Sequence, residues 1–174
     1  GGYKILDFET AIADQPGDQL TSKRIFSGDQ IAAYFHTGGT TGRPKLAQLT
    51  HQNMAFLGQL MQVYTAHQGR QSILCGLPLF HIYGCIIQGV AAFAVGYRIL
   101  LMTPSGFRSP VAMKSFWKHI DRFNITSFAT VPTVLMALSD LSVGDSDIST
   151  LTNVNSGAAP LSEPFKVNFE KQHQ

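Results

Sequence analysis

Charge is scarce in this sequence. Only 14% of its 174 residues are charged, 13 Lys and Arg against 11 Asp and Glu, for a formal net charge of +2. So few charges assemble neither a basic stripe nor an acidic tail, which argues against a nucleic-acid partner and for small-molecule work. Cysteine is scarcer still. Cys75 and Cys85 both lie in apolar runs without CxxC spacing, which argues against a zinc site or a disulfide framework. Both read as ordinary buried residues of a reduced, intracellular protein, and we expect a cytoplasmic one. A membrane span is also missing. The longest apolar run, Gly84 to Gly96, is interrupted by Gln88 and closed by Arg98, well short of the about 20 apolar residues a spanning helix needs. It reads instead as a helix buried within a large sheet protein. Internal repeats are absent. No secretory signal heads the chain, which opens on Gly1-Gly2 rather than Met and stops inside a helical pattern, so residues 1–174 are expected to be part of a larger domain.

Short runs rich in β-branched residues alternate with longer stretches of helical spacing. That alternation predicts an α/β fold with a mostly parallel sheet flanked by helices. Strands are expected at Ile31 to His36, Leu46 to Leu49, Ser72 to Leu77, Tyr97 to Leu101, Ile125 to Thr130 and Thr152 to Asn155. Thr50 is a good N-cap for an amphipathic helix carrying Met54, Leu57, Met61 and Tyr64. Ser109-Pro110 opens a second helix with Met113, Phe116, Trp117, Ile120 and Phe123 on one face. Val131-Pro132 opens a third and Leu161-Ser162 caps a fourth, while Asp14 to Ser22 reads as a linker and Val143 to Thr150 as a soft loop.

The stretch FHTGGTTGRPK, Phe35 to Lys45, carries the densest chemistry. Gly38, Gly39 and Gly42 allow backbone N–H groups to converge on one anion, and Thr37, Thr40 and Thr41 add hydroxyls. It is not the common NTPase phosphate loop, because Lys45 is followed by Leu46 and preceded by Pro44 rather than opening a helix as GK[ST] does. On residue type alone, a plain flexible turn remains open.

The order TGGTTGRPK followed by TH resembles the nucleotide-phosphate loop of the adenylate-forming, AMP-binding enzymes: acyl-CoA synthetases, luciferases and peptide-synthetase adenylation domains. Thr37, Gly39, Thr40, Thr41, Gly42, Pro44 and Lys45 match that pattern. Gly38 stands where serine is usual and Leu46 where glycine is usual. LPLFHIYG (Leu77 to Gly84) is similar to the segment bordering that family's acyl pocket, and ATVPTVLMAL to a segment lining its carboxylate site. NSGAAPLS (Asn155 to Ser162) is similar to the adenine-binding strand exit of acyl-CoA and coumarate-type ligases. The resemblance spans roughly Ala32 to Phe165, with its motifs in the family's order, and implies a portion of the large N-terminal domain.

What the resemblance implies is ATP-dependent activation of a carboxylic acid, fatty or aromatic, followed by transfer to coenzyme A. ATP phosphates would be held by Thr37, Gly38, Gly39, Thr40, Thr41, Gly42 and Lys45, with Thr41 toward Mg2+ and Lys45 countering the charge of departing pyrophosphate. Gly157, Ala158, Ala159 and Pro160 would floor the adenine. His81 would touch the carboxylate, although a histidine at a strand-helix junction also fits a capping role. His36, His51, His67 and His119 read as structural. The family's YGxTE motif, ribose aspartate, hinge and C-terminal lysine do not occur in these residues, so the piece alone is expected to be inactive or nearly so. A binding module that has lost the reaction, or a domain loading a carrier protein, are the alternatives. The apolar stretches Phe80 to Ile87 and Phe128 to Leu135 contain no acidic residue to hold an α-amino group, which disfavours the last.

Overall fold

Two separate sheets organise the molecule in the computed structural model, which describes residues 5–19, 21–22, 24–37, 45–65, 69 and 71–173. The first is an antiparallel pair, β1 (Ile31–His36) with β2 (Leu46–Thr50), in which His36 faces Leu46. The second has four parallel strands in the order β4-β3-β5-β6: β3 (Ser72–Cys75), β4 (Arg98–Leu101), β5 (Ser127–Thr130) and β6 (Asn153–Ser156). The expected strands therefore form, but the first two make their own hairpin instead of joining the parallel sheet. A short connection allows only antiparallel pairing, whereas parallel neighbours need a long crossover.

All four residues of β3 are buried, as a central parallel strand covered on both faces requires. Its side chains alternate between two cores. Ile73 packs with Ala92 and Tyr97 on one face, while Leu74 joins Phe116, Trp117, Ile120, Ile125, Phe128, Leu135, Leu138 and Phe169 on the other. In this larger core Phe116 meets Trp117 edge-on at 5.0 Å and Phe128 at 5.1 Å between ring centroids. Such geometry adds to the burial of large rings, and Trp117 Nε1–H is satisfied by the Leu141 carbonyl at 3.1 Å.

The helices follow the sequence with instructive exceptions. Helix α1 (Phe8–Ala13) falls where no helix was expected; Asp7 caps it, its carboxylate accepting from Thr10 N–H at 2.9 Å. Helix α2 (His51–Thr65) starts at the expected cap, where Thr50 Oγ1 accepts from Asn53 N–H and Asn53 Oδ1 accepts in return from Thr50 N–H. That reciprocal pair satisfies two otherwise orphaned donors. Met54, Leu57 and Met61 are half-buried as expected, but Tyr64 is 72% exposed.

The run at residues 84–96 is a π-helix (Tyr83–Ala91) continuing into one turn of α-helix, α3 (Ala92–Ala94). It is buried on one side only: Gly84, Ile86, Gln88, Ala91 and Ala92 face inward while Val90 and Phe93 are exposed. Gln88 Nε2 donates to the Leu74 carbonyl at 3.3 Å, which explains a polar residue in the run.

The expected single helix from 110 divides into α4 (Pro110–Lys114) and α5 (Phe116–Arg122). Ser115 lies at the break, its hydroxyl donating back to the Val111 and Ala112 carbonyls, and such back-bonding competes with the helix ladder. The inward face nonetheless holds, with Phe116, Trp117 and Ile120 buried. Helices α6 (Pro132–Ser139) and α7 (Glu163–Gln172) begin where expected, each with a proline in its first turn, although Ser162, at the N-cap position of α7, makes no side-chain cap bond.

Candidate functional site

The strand order decides where a ligand can enter. After β3 the chain passes outward to β4, crosses back to β5 on β3's other side, then moves outward to β6. Neighbouring strands β3 and β5 thus send their connections in opposite directions, and the crevice outside their carboxyl ends is where open parallel sheets bind ligands. Three of the motifs read from the sequence end up along that one edge. Leu77 to Gly84 follows β3, Val131 and Pro132 follow β5, and Gly157 to Pro160 follow β6.

At the β3 exit, His81 is exposed and its ring is held in place. Its Nδ1 accepts from Tyr83 N–H at 3.2 Å at the start of the π-helix, and its backbone N–H donates to the Pro78 carbonyl at 3.1 Å. With Nδ1 an acceptor, the neutral imidazole carries its hydrogen on Nε2, a donor with no partner among the described residues. The capping and ligand-facing roles therefore use different nitrogens and are compatible. The turn is tight: a Cβ on Gly84 would lie 2.5 Å from the Pro78 carbonyl oxygen, so no larger residue fits there. Burial raises the Tyr83 phenol above its ordinary pKa, and burial likewise raises that of the Cys75 thiol at the end of β3. Cys75 is buried as expected, whereas Cys85 is half-buried, and both are free thiols.

At the ends of β5 and β6, Thr130 sits directly opposite Ser156. Among the described residues, neither buried hydroxyl oxygen has a hydrogen-bond partner, an uncommon state for a polar group. Gly157 N–H ties the two exits together by donating to the Thr130 carbonyl at 3.1 Å. Immediately after, Ala158 adopts φ of 68°, left-handed backbone that disfavours any residue with a Cβ. Among the described residues, nothing lies within 4 Å of where a Cβ on Gly157 would stand, which leaves the backbone there room for a flat ligand.

The glycine-threonine loop leaves and returns through the β1–β2 hairpin. Thr37 N–H donates to the Lys45 carbonyl at 2.9 Å and Thr37 Oγ1 donates to the same oxygen at 3.1 Å. Thr37 therefore uses its hydroxyl hydrogen to close the loop mouth, and both it and Lys45 are exposed. Gly38, Gly39, Thr40, Thr41 and Gly42 lie outside the described residues. Of the other histidines, His51 packs its ring on Phe26 and His119 stacks on Phe123, while His36 is exposed and His67 lies outside the described residues.

A cleft of about 390 Å³ opens at the carboxyl ends of β3 and β4, lined by residues 75–80, 101–106 and Arg108. The sequence reading missed its second wall. The dense turn signals of Thr103 to Gly106 were legible, but nothing in them tells that the loop lands on the end of β3.

A doubly wound parallel sheet with its motifs gathered at the strand exits defines an α/β ligand-binding unit. Residues 3–173 match the AMP-binding enzyme family, and the chain belongs to it. Among similar proteins, the marinolic acid–CoA ligase of a Pseudoalteromonas species is 33% identical over 172 residues, covering 96% of this chain and 26% of that protein. The 4-coumarate–CoA ligase-like 6 of Arabidopsis thaliana is 34% identical over 154 residues, 84% of this chain and 26% of its own. This chain thus spans about a quarter of the length of these relatives. Among solved structures, the fatty acyl-adenylate ligase of L. pneumophila, bound to acyl adenylate and pyrophosphate, superposes with a TM-score of 0.72 at 20% identity, covering 85% of this chain and 26% of that one. The O-succinylbenzoate coenzyme A synthetase of Bacillus subtilis, bound to AMP, gives 0.69 at 23% identity over 84% of this chain and 29% of that one. Both likenesses establish the fold, that of a portion of an adenylate-forming enzyme.

Proposed function

We propose that the full-length protein activates a carboxylic acid with ATP and passes the acyl group to coenzyme A. The observation that carries this reading is the convergence of the His81 segment, the Thr130–Pro132 exit and the Gly157–Pro160 exit on one edge of the parallel sheet. Family membership and relatives named as CoA ligases support it.

In the first step a carboxylate oxygen attacks the ATP α-phosphorus, and the bond to pyrophosphate breaks. The glycine N–H groups of Gly38, Gly39 and Gly42, the hydroxyls of Thr40 and Thr41, and the Lys45 ammonium hold the β- and γ-phosphates and offset the charge that builds on them. Thr37 fixes the loop mouth. The Nε2–H of His81 orients the carboxylate. Gly157 and Ala158 to Pro160 carry the adenine, the open backbone at Gly157 giving it a flat seat. In the second step the acceptor thiol sulfur attacks the acyl carbonyl, the C–S bond forms, and AMP leaves.

Magnesium fits this scheme as an ion held mainly by phosphate oxygens, with Thr41 its candidate protein ligand. Among the described residues no group of three His, Cys, Asp or Glu gathers to hold a metal by itself. When bound, the ion supplies charge neutralisation on the polyphosphate.

The apolar character of Leu79, Phe80 and Ile86 to Ile87 favours a fatty or aromatic acid, and we place the protein in the cytoplasm. The isolated chain, which has only part of such a site, is expected to be inactive or nearly so. One feature favours a second reading, a nucleotide-binding module without the reaction: Leu46, where the family has glycine, is the first residue of β2 and pairs with His36, which stiffens the loop exit. Carboxylate-dependent exchange of labelled pyrophosphate into ATP by the full-length protein separates the two. Exchange with fatty or aromatic acids supports the ligase, and its absence in a folded, ATP-binding protein supports the module.

A further inference from the structure

Cys75 and Cys85 stand at the two feet of one loop. The alternation that sends Leu74 into the larger core turns Cys75, like Ile73, toward the other face of the sheet. Its Sγ lies 3.8 Å from the Leu77 carbonyl oxygen and 4.0 Å from that of Gly84, the residue before Cys85. Peptide geometry then places the Cys85 Cα within about 7 Å of the Cys75 sulfur. Between the two feet the chain closes on itself, His81 N–H donating to the Pro78 carbonyl and Cys85 N–H to the His81 carbonyl, each at 3.1 Å. A Cβ on Gly84 would stand 3.0 Å from the Leu77 oxygen, so the ends of the loop are already in contact.

The two thiols differ in access. Cys75 is 3% exposed, whereas Cys85 is half-buried in the first turn of the π-helix. Burial first, and the neighbouring Cys85 in smaller part, raise the Cys75 thiol above its ordinary pKa. A charge on one cysteine is therefore felt at the other, and the raised pKa keeps Cys75 from meeting an oxidant itself. An accessible thiol next to a sheltered one is the arrangement in which the first is oxidised and the second resolves it. The chain holds no third cysteine to compete. Thiols that are free at rest and pair only on oxidation also fit a reducing compartment, where disulfides are transient and redox-sensing.

We propose that Cys75 and Cys85 form a reversible disulfide when the protein meets hydrogen peroxide, and that this bond is a switch on the His81 turn. The Cys85 thiolate attacks a peroxide oxygen, the O–O bond breaks, and Cys85 becomes a sulfenic acid. The Cys75 thiolate then attacks the Cys85 sulfur, the S–O bond breaks and the S–S bond forms. In each step hydroxide leaves and recovers the proton that the attacking thiol released. Peroxide gains the two electrons that the thiols lose, and the products are one disulfide and two waters. The new bond draws Cys85 toward β3 and with it Tyr83, whose N–H holds His81 Nδ1 at 3.2 Å. The effect on activity rests on the acid-activation reading, in which His81 orients the carboxylate.

The test is mass spectrometry of the chain after hydrogen peroxide. Trypsin leaves both cysteines in one peptide, residues 71–98, because no Lys or Arg lies between Arg70 and Arg98. That peptide should lose about 2 Da, two hydrogens, and regain them with dithiothreitol. Cys75→Ala should leave Cys85 as a sulfenic acid that dimedone traps, and Cys85→Ser should leave Cys75 a thiol. Dimedone trapping of Cys85 in the unaltered chain, with Cys75 still a thiol, overturns the proposal without any variant. So does a Cys85–Cys85 crosslink between chains. The His81 ring resonances in NMR spectra of the chain should move on crosslinking and return on reduction, and a crosslink that leaves them in place overturns the switch. In the full-length protein the crosslink should raise the KM for the carboxylate in pyrophosphate exchange about tenfold, the loss of one hydrogen bond to a charged group. Cys85→Ser should prevent that rise. An unchanged KM in the crosslinked protein overturns the switch, whereas absence of exchange in the reduced protein removes the adenylation reading alone.

Discussion

Replacing Ala158 with glycine separates the stability of the β6 exit from its function. Ala158 holds φ of 68°, and left-handed backbone costs a residue with a Cβ about 1–2 kcal/mol. Glycine removes that strain but adds unfolded-state entropy worth about 0.4–1 kcal/mol. The difference predicts that Ala158→Gly stabilises the chain by roughly 0.5–1 kcal/mol, raising Tm by about 1–4 °C for a domain of this size. Urea denaturation should show the midpoint rising with an unchanged slope, since the native surface is unaltered. Ala158→Val should move the midpoint the other way by more, because a β-branched side chain tolerates this conformation least. If the strained exit is preorganised for the nucleotide, Ala158→Gly should also weaken AMP binding while stabilising the fold. A lower midpoint for Ala158→Gly, or identical midpoints for the glycine and valine variants, would refute the strain argument.

Lys45→Ala should weaken ATP binding in the full-length protein far more than His81→Ala; equal or reversed losses by calorimetry would remove Lys45 from the phosphate cradle. Phe128→Ala empties a fully buried site against the Phe116 ring and should cost about 3–5 kcal/mol in denaturant unfolding. Thr50→Ala should lose about 1 kcal/mol by removing half of the α2 cap, and a neutral result would mean the Asn53 side chain suffices alone. Burial holds the Cys75 thiol above its ordinary pKa, so raising the pH to about 9 should leave its thiolate sparse. Timed alkylation with mass spectrometry should label half-buried Cys85 first.

Local signals carried far in this chain. Thr50, Pro110, Pro132 and Ser162 marked helix starts because caps and prolines act over a few residues, and period and β-branching marked all six strands found among the described residues. Asp7 caps α1 by the same kind of signal, legible but passed over. The helix break at Ser115 was not legible, since the same serine can face solvent or bond back to its own turn, and packing of Phe116 and Trp117 chooses. Sequence by itself determined most of the elements, the family and the glycine-threonine composition of the stretch between β1 and β2. Tertiary structure alone decided that β1 and β2 pair with each other, and that β3 and β5 are neighbours despite the strand between them in sequence. It alone brought Arg108 to the rim of a cleft begun at Cys75. The reason is range: caps and periodicity are set by residues three or four apart, whereas strand order is set by which buried faces can be covered together, a property of the whole chain.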